Sequence, residues 1–233
     1  MGKRVQRLAR KEAVITDQLM PPSSSSTVFV VDDDAAVRKA VSRLLRSAGI
    51  AVAVFESPTE FLARYDPNTP GCLVLDIAMP GLNGLQLQTT LGENGSILPI
   101  IFLTGQGDVS KSVQAMKGGA FDFLTKPVNA KNLLPAIRAA IERDAVARQE
   151  QAKFSEIHAR LDTLTPRERE VLEHVVAGKL NKQIACDLGI TETTVKMHRA
   201  RVMVKMKVQS VAELARLAEQ CGIRGTNSLK SAA

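Results

Sequence analysis

Short, uninterrupted apolar runs separated by helix-length segments constrain the fold of this chain more than any other feature. Three strong runs lie at residues 27–31, 72–75 and 99–103, and two weaker ones at 51–55 and 120–124. Continuous apolar residues are typical of parallel strands that are buried on both faces. The segments between them have helical length, at about residues 35–48, 58–65, 84–91, 108–118 and from 130 onward. This alternation predicts an α/β fold with a doubly wound, five-stranded parallel sheet.

The last third of the chain follows a different pattern, because no strand candidate remains beyond residue 161. Thr165, Pro166 and Glu168 have the spacing of a capping box with proline in the first turn, which is typical of a helix N-terminus. Three glycines are placed to end short helices, namely Gly178, Gly189 and Gly222. These signals predict a small all-α domain.

Together, these patterns divide the chain into five segments. They are a basic, disordered N-terminal tail (1–26) that ends in Pro-Pro-Ser-Ser-Ser-Ser, the α/β domain (27–145), a helical linker (146–160), the all-α domain (161–225) and a C-terminal tail (226–233). Proline- and serine-rich stretches are typical of flexible connections. We therefore expect two folded domains joined by a helix.

The net charge of +7 is distributed unevenly along the chain. Residues 27–145 contain eleven basic and twelve acidic side chains, whereas residues 161–233 contain twelve basic and eight acidic ones. Within the basic part, residues 193–207 contain five cations and no acid. A basic segment that follows a near-neutral body indicates nucleic acid as a partner.

Several classes of protein are disfavoured by composition. The apolar runs are far shorter than the roughly 18 residues of a membrane span, and the basic N-terminus lacks the apolar core of a secretory signal. The three cysteines form no Cys-x-x-Cys pair, so they predict neither a disulfide framework nor a zinc site; they are Cys72, Cys186 and Cys221. We expect a cytoplasmic protein without a membrane partner, in which the cysteines act as small hydrophobic residues.

Polar residues follow four of the predicted strands at their carboxyl ends. They are Asp32, Asp33 and Asp34 after the first strand, Asp76 after the third, Thr104 after the fourth, and Thr125 and Lys126 after the fifth. In a doubly wound sheet these strand ends line one crevice, where ligands bind. Asp34 directly precedes a predicted helix, and we assign it to helix capping. We expect the others to lie close together.

Clustered carboxylates repel one another unless a cation lies among them, and oxygen ligands with room for water suit Mg²⁺. A metal beside one carboxylate neutralises an incoming phosphoryl group and leaves that carboxylate as the nucleophile. Thr104 and Lys126 can then bind the phosphoryl oxygens. The pattern therefore predicts an aspartyl-phosphate site with Mg²⁺ as its cofactor.

Four stretches of the α/β domain closely resemble the receiver domain of two-component response regulators: residues 30–34, 75–84, 103–105 and 119–127. The resemblance implies that Asp76 is the phosphoacceptor. It also implies that Asp33, Asp76 and the backbone carbonyl of Ala78 hold Mg²⁺, with Asp32 contributing indirectly. Lys126 corresponds to the phosphate-binding lysine, and a cis bond is implied between Lys126 and Pro127.

The same resemblance assigns Thr104 and Phe123 to a conformational switch. Once Asp76 is phosphorylated, Thr104 gains a charged acceptor and moves toward it. The vacated volume then lets Phe123 rotate inward, which reshapes the surface formed by residues 108–124. Such a local electrostatic change biases a packed element with two states.

Three other interpretations of the α/β domain remain open. Residues 105–112 approach a P-loop, although Ser110 replaces the second glycine of that motif. A haloacid-dehalogenase-like phosphohydrolase would use Asp32 and Asp34, but it leaves Asp76 unexplained and predicts no DNA-binding domain. A vestigial receiver would bind DNA independently of phosphorylation.

In the all-α domain, the spacing of residues 181–188, 189–191 and 192 onward predicts a helix-turn-helix motif spanning Asn181 to Ala200. The second helix is the one expected in the major groove of DNA. Its buried stripe is predicted at helical spacing, with Val195, Val202 and Met206. Its five cations are expected to neutralise phosphates, Arg199 and Arg201 among them.

Residues 164–172, 178–185 and 194–198 closely resemble the LuxR-type DNA-binding domain. The resemblance implies base contacts from Lys196, Met197 and Ala200. It implies phosphate contacts from Asn181, Thr191, Thr193, His198 and Lys205. A helix at residues 210–220 resembles the dimer helix of the family.

With both domains, the whole chain resembles a FixJ-type response regulator. The resemblance implies phosphoryl transfer from a histidine kinase to Asp76, a homodimer formed on phosphorylation, and binding to an inverted repeat in promoter DNA. It implies a regulator rather than a metabolic enzyme, with no catalysis beyond the receiver's own phosphorylation and dephosphorylation.

Overall fold

The structure is a computed structural model that describes residues 26–105 and 109–223, without the side chains of Val109 and Ser110. Most of the predicted N-terminal tail, the C-terminal tail at 226–233 and part of the P-loop-like segment lie outside the described residues. The chain divides between Arg148 and Gln149 into two compact units. This division falls within the predicted linker, while the domain boundaries themselves stay predictions.

The first unit contains a single sheet of five parallel strands among the described residues. The strands are β1 (Thr27–Val31), β2 (Ala51–Phe55), β3 (Gly71–Asp76), β4 (Ile100–Thr104) and β5 (Asp122–Thr125). Their order across the sheet is β2-β1-β3-β4-β5, which is the flavodoxin-like arrangement. The predicted fold class is therefore confirmed.

The described part of the chain contains nine helices. In the first unit they are α1 (Ala35–Ser47), α2 (Pro58–Arg64), α3 (Gly84–Glu93), α4 (Val109–Lys117) and the start of α5 (Ala130–Asp162). In the second unit α5 is followed by α6 (Pro166–Val176), α7 (Asn181–Leu188), α8 (Glu192–Met206) and α9 (Val211–Gln220).

Apolar residues on successive positions of the central strands explain why the sheet is covered on both sides. Along β1, Phe29 and Val31 belong to one buried cluster, whereas Val28 and Val30 belong to the other. Adjacent side chains of a strand point to opposite faces, so an uninterrupted apolar run supplies both cores. The polar residues that follow such runs are thereby placed at the edge of the sheet.

Strand order also determines which polar residues meet. β1 pairs with β2 on one side and with β3 on the other, so the sheet changes winding direction between β1 and β3. Asp32 follows β1, and Asp76 is the last residue of β3. Ligand crevices of doubly wound sheets lie at this switch point.

Close packing at Gly84 fixes the loop after Asp76 against the sheet. Gly84 begins α3, which is capped by Asn83 and Gln86 in a capping box. A Cβ on Gly84 would lie 2.2 Å from the backbone carbonyl oxygen of Asp76. Only glycine therefore allows α3 to begin this close to the phosphoacceptor candidate.

We expect Gly84→Ala to lower the free energy of unfolding by roughly 1–3 kcal/mol, because the new methyl group meets backbone atoms that must shift. Gly92→Ala is the matched control, since Gly92 lies in the same helix and a Cβ there meets nothing within 4 Å. That substitution should stabilise the helix by about 0.5–1 kcal/mol. Urea unfolding of both variants measures the difference, and equal effects would contradict the packing argument.

In the second unit, helix caps and the core agree with the sequence prediction. Thr165 and Glu168 form the predicted capping box at the start of α6, and Gly189 ends α7 in the left-handed conformation, with φ of 64°. The predicted stripe of α8 is buried, with Val195, Val202 and Met206 in the core. This confirms the predicted helix, turn and second helix of the helix-turn-helix motif.

Candidate functional site

Two buried carboxylates share one ammonium group at the carboxyl edge of the sheet. Nζ of Lys126 lies 2.7 Å from Oδ2 of Asp32 and 3.1 Å from Oδ1 of Asp76. Both carboxylates are buried, and the other oxygen of Asp32 accepts a 2.9 Å hydrogen bond from the N–H of Asp34. The structure thus brings together three of the residues that the sequence predicted for the phosphoryl site.

Asp33 completes an acidic cluster beside this ammonium group. One carboxylate oxygen from each of Asp32, Asp33 and Asp76 lies within 4.8 Å of the others, and Asp33 is exposed to solvent. Three carboxylate donors with one side open to water suit a hard cation that retains water ligands, as Mg²⁺ does. The residues present therefore fit the cofactor that the sequence predicted.

Electrostatics at the site follow from burial and crowding. Burial raises the pKa of Asp76 above its usual value, and the nearby carboxylate of Asp32 adds to this effect. The ammonium of Lys126 and the N–H of Ala78 act in the opposite direction without cancelling the rise in the pKa of Asp76. Burial alone would lower the pKa of Lys126, but hydrogen bonds to the two carboxylates raise it above its usual value.

Sequence reasoning missed Arg38, which supports the acidic loop from α1. Its Nη1 donates a 2.7 Å hydrogen bond to the backbone carbonyl of Asp32, and its Nη2 lies 3.0 Å from Glu56. The guanidinium group therefore connects the loop that holds Asp32 to the end of β2. A signal existed in the sequence, since an arginine one turn after the capping residue Asp34 can reach back to this loop.

The two residues of the predicted switch differ strongly in exposure. Thr104 is buried at the end of β4, and its hydroxyl donates a 2.9 Å hydrogen bond to the carbonyl of Gly105. Phe123 is 40% exposed. The peptide bond between Lys126 and Pro127 is cis, as the resemblance implied.

In the second unit, two of the four cations of α8 have partners inside the protein. Nη1 of Arg199 donates a 2.7 Å hydrogen bond to Oδ1 of Asn181. Nζ of Lys205 lies 2.6 Å from Oε2 of Glu168 and donates to the carbonyl of Thr163. These contacts use the groups of Asn181 and Lys205 that were predicted to meet phosphates, so we leave both residues out of the DNA surface proposed below.

The remaining predicted DNA-contact residues of this unit differ in exposure. Most are exposed, and these are Thr191, Thr193, Lys196, Met197, Ala200 and Arg201. His198 is half-buried, and its Nδ1 is buried without a hydrogen-bond partner among the described residues. Thr191 caps α8 by accepting from the N–H of Thr194.

The Glu168–Lys205 pair is expected to stabilise the second unit. Glu168 is only 2% exposed, and Lys205 together with the N–H of Thr165 lowers the pKa of Glu168 to about 2. Lys205→Met would leave this carboxylate buried without its cation. We expect the free energy of unfolding of the unit to fall by about 1–3 kcal/mol.

The stabilisation by the Glu168–Lys205 pair should depend on pH in a defined direction. Because the pKa of Glu168 is lower in the folded than in the unfolded state, the stabilisation is present above pH 4.5 and is lost as the pH falls toward 2. Hydrogen exchange of the α6 and α8 amides in the full-length protein, followed as a function of pH, measures this stabilisation. Lys182→Met removes an exposed lysine of α7 and is the charge-matched control; equal losses in both variants would contradict the role of the pair.

Comparison with known proteins places both units in families. Residues 28–138 match the response regulator receiver domain, and residues 162–218 match the bacterial regulatory proteins of the luxR family. Nodulation protein W of Bradyrhizobium diazoefficiens is 44% identical over 193 residues, which cover 83% of this chain and 85% of that protein. The chain is a response regulator with a LuxR-type DNA-binding domain. The haloacid-dehalogenase-like interpretation predicted no such domain and is therefore wrong.

Other relatives agree with this assignment. Transcriptional regulatory protein FixJ of Azorhizobium caulinodans is 46% identical over 189 residues, covering 81% of this response regulator and 89% of the relative. Among solved structures, response regulator StyR has a TM-score of 0.76 at 44% identity, covering 84% of this chain and all of that one. Full-length FixJ from B. japonicum has a TM-score of 0.53 at 41% identity, covering 86% and 98% of the two chains. The predicted family is confirmed.

None of the helices in the described part of this response regulator combines the length and apolarity that a membrane crossing requires.

Proposed function

We propose that Asp76 accepts a phosphoryl group from a histidine kinase and that this modification controls dimerisation and DNA binding. The observation that carries the proposal is the position of Lys126, whose ammonium lies 3.1 Å from Asp76 and 2.7 Å from Asp32. An ammonium group at this distance can pair with the carboxylate of Asp76 and then with the oxygens of a phosphoryl group attached to that carboxylate. The acidic cluster with Asp33 lies on the same edge of the sheet.

In the transfer, an oxygen of Asp76 attacks the phosphorus of the kinase's phosphohistidine. An O–P bond forms, the P–N bond breaks, and the electron pair returns to the imidazole. Mg²⁺ held by Asp33, Asp76 and the Ala78 carbonyl, with Asp32 acting indirectly, would supply charge neutralisation at the phosphoryl oxygens. The ammonium of Lys126 stabilises the same oxygens, and catalysis by this chain is limited to its own phosphorylation and hydrolysis.

Thr104 and Phe123 connect this chemistry to the surface of the first unit. The Thr104 hydroxyl now donates to a neutral carbonyl, and a phosphoryl oxygen is a stronger, charged acceptor. Rotation of Thr104 toward it would free volume for Phe123, whose ring is partly exposed. The surface at residues 108–124 would change, which favours a homodimer.

For DNA binding we propose that α8 enters the major groove and that exposed cations of α8 contact phosphates. Lys196 and Arg201 are exposed and make no hydrogen bond or ion pair with other described residues. They are therefore available for the salt-dependent contacts that anchor a protein on DNA. A dimer would place two such helices on an inverted repeat, one helical turn or a multiple of it apart.

The modified residue can be identified directly. The full-length protein is incubated with Mg²⁺ and radiolabelled acetyl phosphate, and the labelled peptide is mapped in the wild type and in Asp32→Asn. We expect the label on Asp76 in the wild type, at a reduced rate in Asp32→Asn. A label on Asp32 would contradict the receiver mechanism.

A further inference from the structure

The outward face of α8 carries an apolar ridge, which we define as Met197, Ala200 and Val204. At 3.6 residues per turn, these three positions lie within about 60° of one another around the helix axis. They lie opposite the buried stripe of Val195 and Val202. The ridge therefore points away from the core of the second unit.

Exposure of the ridge is unusual for its residue types. Val204 is 76% exposed and Met197 is 41% exposed, and Ala200 is exposed as well. None of the three belongs to the hydrophobic core of the unit. Exposed apolar patches mark interaction sites, and this one lies on the helix that is expected to contact DNA.

Charge around the ridge indicates what that partner is. By the same helical rotation, Lys196 lies on one side of the ridge and Arg201 on the other, and both are exposed. Arg199 and Lys205 are held by Asn181 and Glu168. The face is thus apolar along its centre and cationic at its edges, which complements a groove with bases on its floor and phosphates on its rims.

We propose that this ridge packs against the 5-methyl groups of thymines in the major groove and thereby selects the DNA sites of this protein. Thymine is the only standard base with a methyl group on the major-groove edge, and apolar side chains recognise it by contact. Met197, Ala200 and Val204 offer no side-chain hydrogen-bond donors for base edges. The inference rests on the proposed placement of α8 in the major groove and names the base feature read there.

Replacing thymine by deoxyuridine tests the proposal, since the exchange removes only the methyl group. Duplexes are first selected from a random pool with full-length protein treated with acetyl phosphate and Mg²⁺, and each thymine of the selected site is then replaced singly. Burial of one methyl group is worth about fourfold in affinity. We expect a loss of about that size at one or more thymines in each half-site.

Protein variants locate the contact on the ridge. Met197→Ala and Val204→Ala should each bind the thymine duplex more weakly and lose sensitivity to deoxyuridine at one position. Val54→Ala is the matched control, because Val54 is also exposed but lies on β2 of the first unit. It should retain the wild-type affinity and the wild-type sensitivity.

The possible outcomes separate this inference from the proposed function. If selected duplexes bind specifically but no deoxyuridine position weakens binding, the ridge inference is overturned while DNA binding by α8 stands. Undiminished sensitivity in both ridge variants would overturn it as well. If the selection yields no preferred sequence, the proposed major-groove placement fails, and the inference fails with it.

Discussion

Replacing Asp76 by asparagine is expected to reduce labelling by acetyl phosphate at least about a hundredfold, because an amide is not a nucleophile under these conditions. The measurement is radiolabel on the intact protein that alkali or hydroxylamine removes, as expected for an acyl phosphate. Asp66→Asn is the matched control, since Asp66 is an exposed carboxylate in the loop after α2. Persistent labelling of Asp76→Asn would show that another residue accepts the phosphoryl group.

Asp76→Asn should also raise the melting temperature at neutral pH. Burial raises the pKa of Asp76, so its ionised form is disfavoured in the folded state and lowers stability. Stability of the wild type should therefore increase as the pH falls through the raised pKa of Asp76. The difference in melting temperature between the wild type and the variant should shrink over the same pH range. A difference that grows toward acidic pH would contradict a raised pKa for Asp76.

The second large effect is expected for Lys126→Met, which removes the cation shared by Asp32 and Asp76. Breaking a buried ion pair leaves uncompensated charge, and Lys126 is itself only partly exposed. We expect the free energy of unfolding to fall by about 2–4 kcal/mol, measured by urea denaturation of the full-length protein. Lys39→Met, which removes an exposed lysine of α1, is the control and should stay within about 0.5 kcal/mol of the wild type.

Two further readouts distinguish this electrostatic role from simple packing. Without Lys126, the pKa of Asp76 should rise further, so the variant should gain stability relative to the wild type as the pH falls. Added Mg²⁺ should stabilise the variant more than the wild type, because it replaces the lost positive charge. If neither low pH nor Mg²⁺ reduces the loss of stability in Lys126→Met, Lys126 acts only through its packing.

Much of the fold follows from local patterns in the sequence. Continuous apolar runs predicted the strands, and the helix starting after Asp34 was predicted from its capping residue. The error at β5 is instructive: the predicted strand began at residue 120, whereas the observed strand begins at Asp122. The N–H of Ala120 instead donates to the carbonyl of Ala115 and closes the end of α4, so a helix cap displaced the start of the strand.

The candidate site could be predicted as a set of residues but not as a set of pairings. Asp32, Asp76 and Lys126 were predicted because strand ends converge on one edge of a parallel sheet. The partner of Lys205 could not be predicted, since it is a residue that only packing brings near. Glu168 lies 37 positions before Lys205, and no local pattern separates a lysine in an ion pair from one that faces DNA.

The central claim is that phosphorylation of Asp76 controls DNA binding, and a single titration tests it most directly. The affinity of the full-length protein for a selected duplex is measured by fluorescence anisotropy with and without acetyl phosphate, in the presence of Mg²⁺. We predict that phosphorylation tightens binding by at least about tenfold in the wild type and leaves Asp76→Asn unchanged. Stoichiometric label on Asp76 with an unchanged affinity for the duplex would contradict the account.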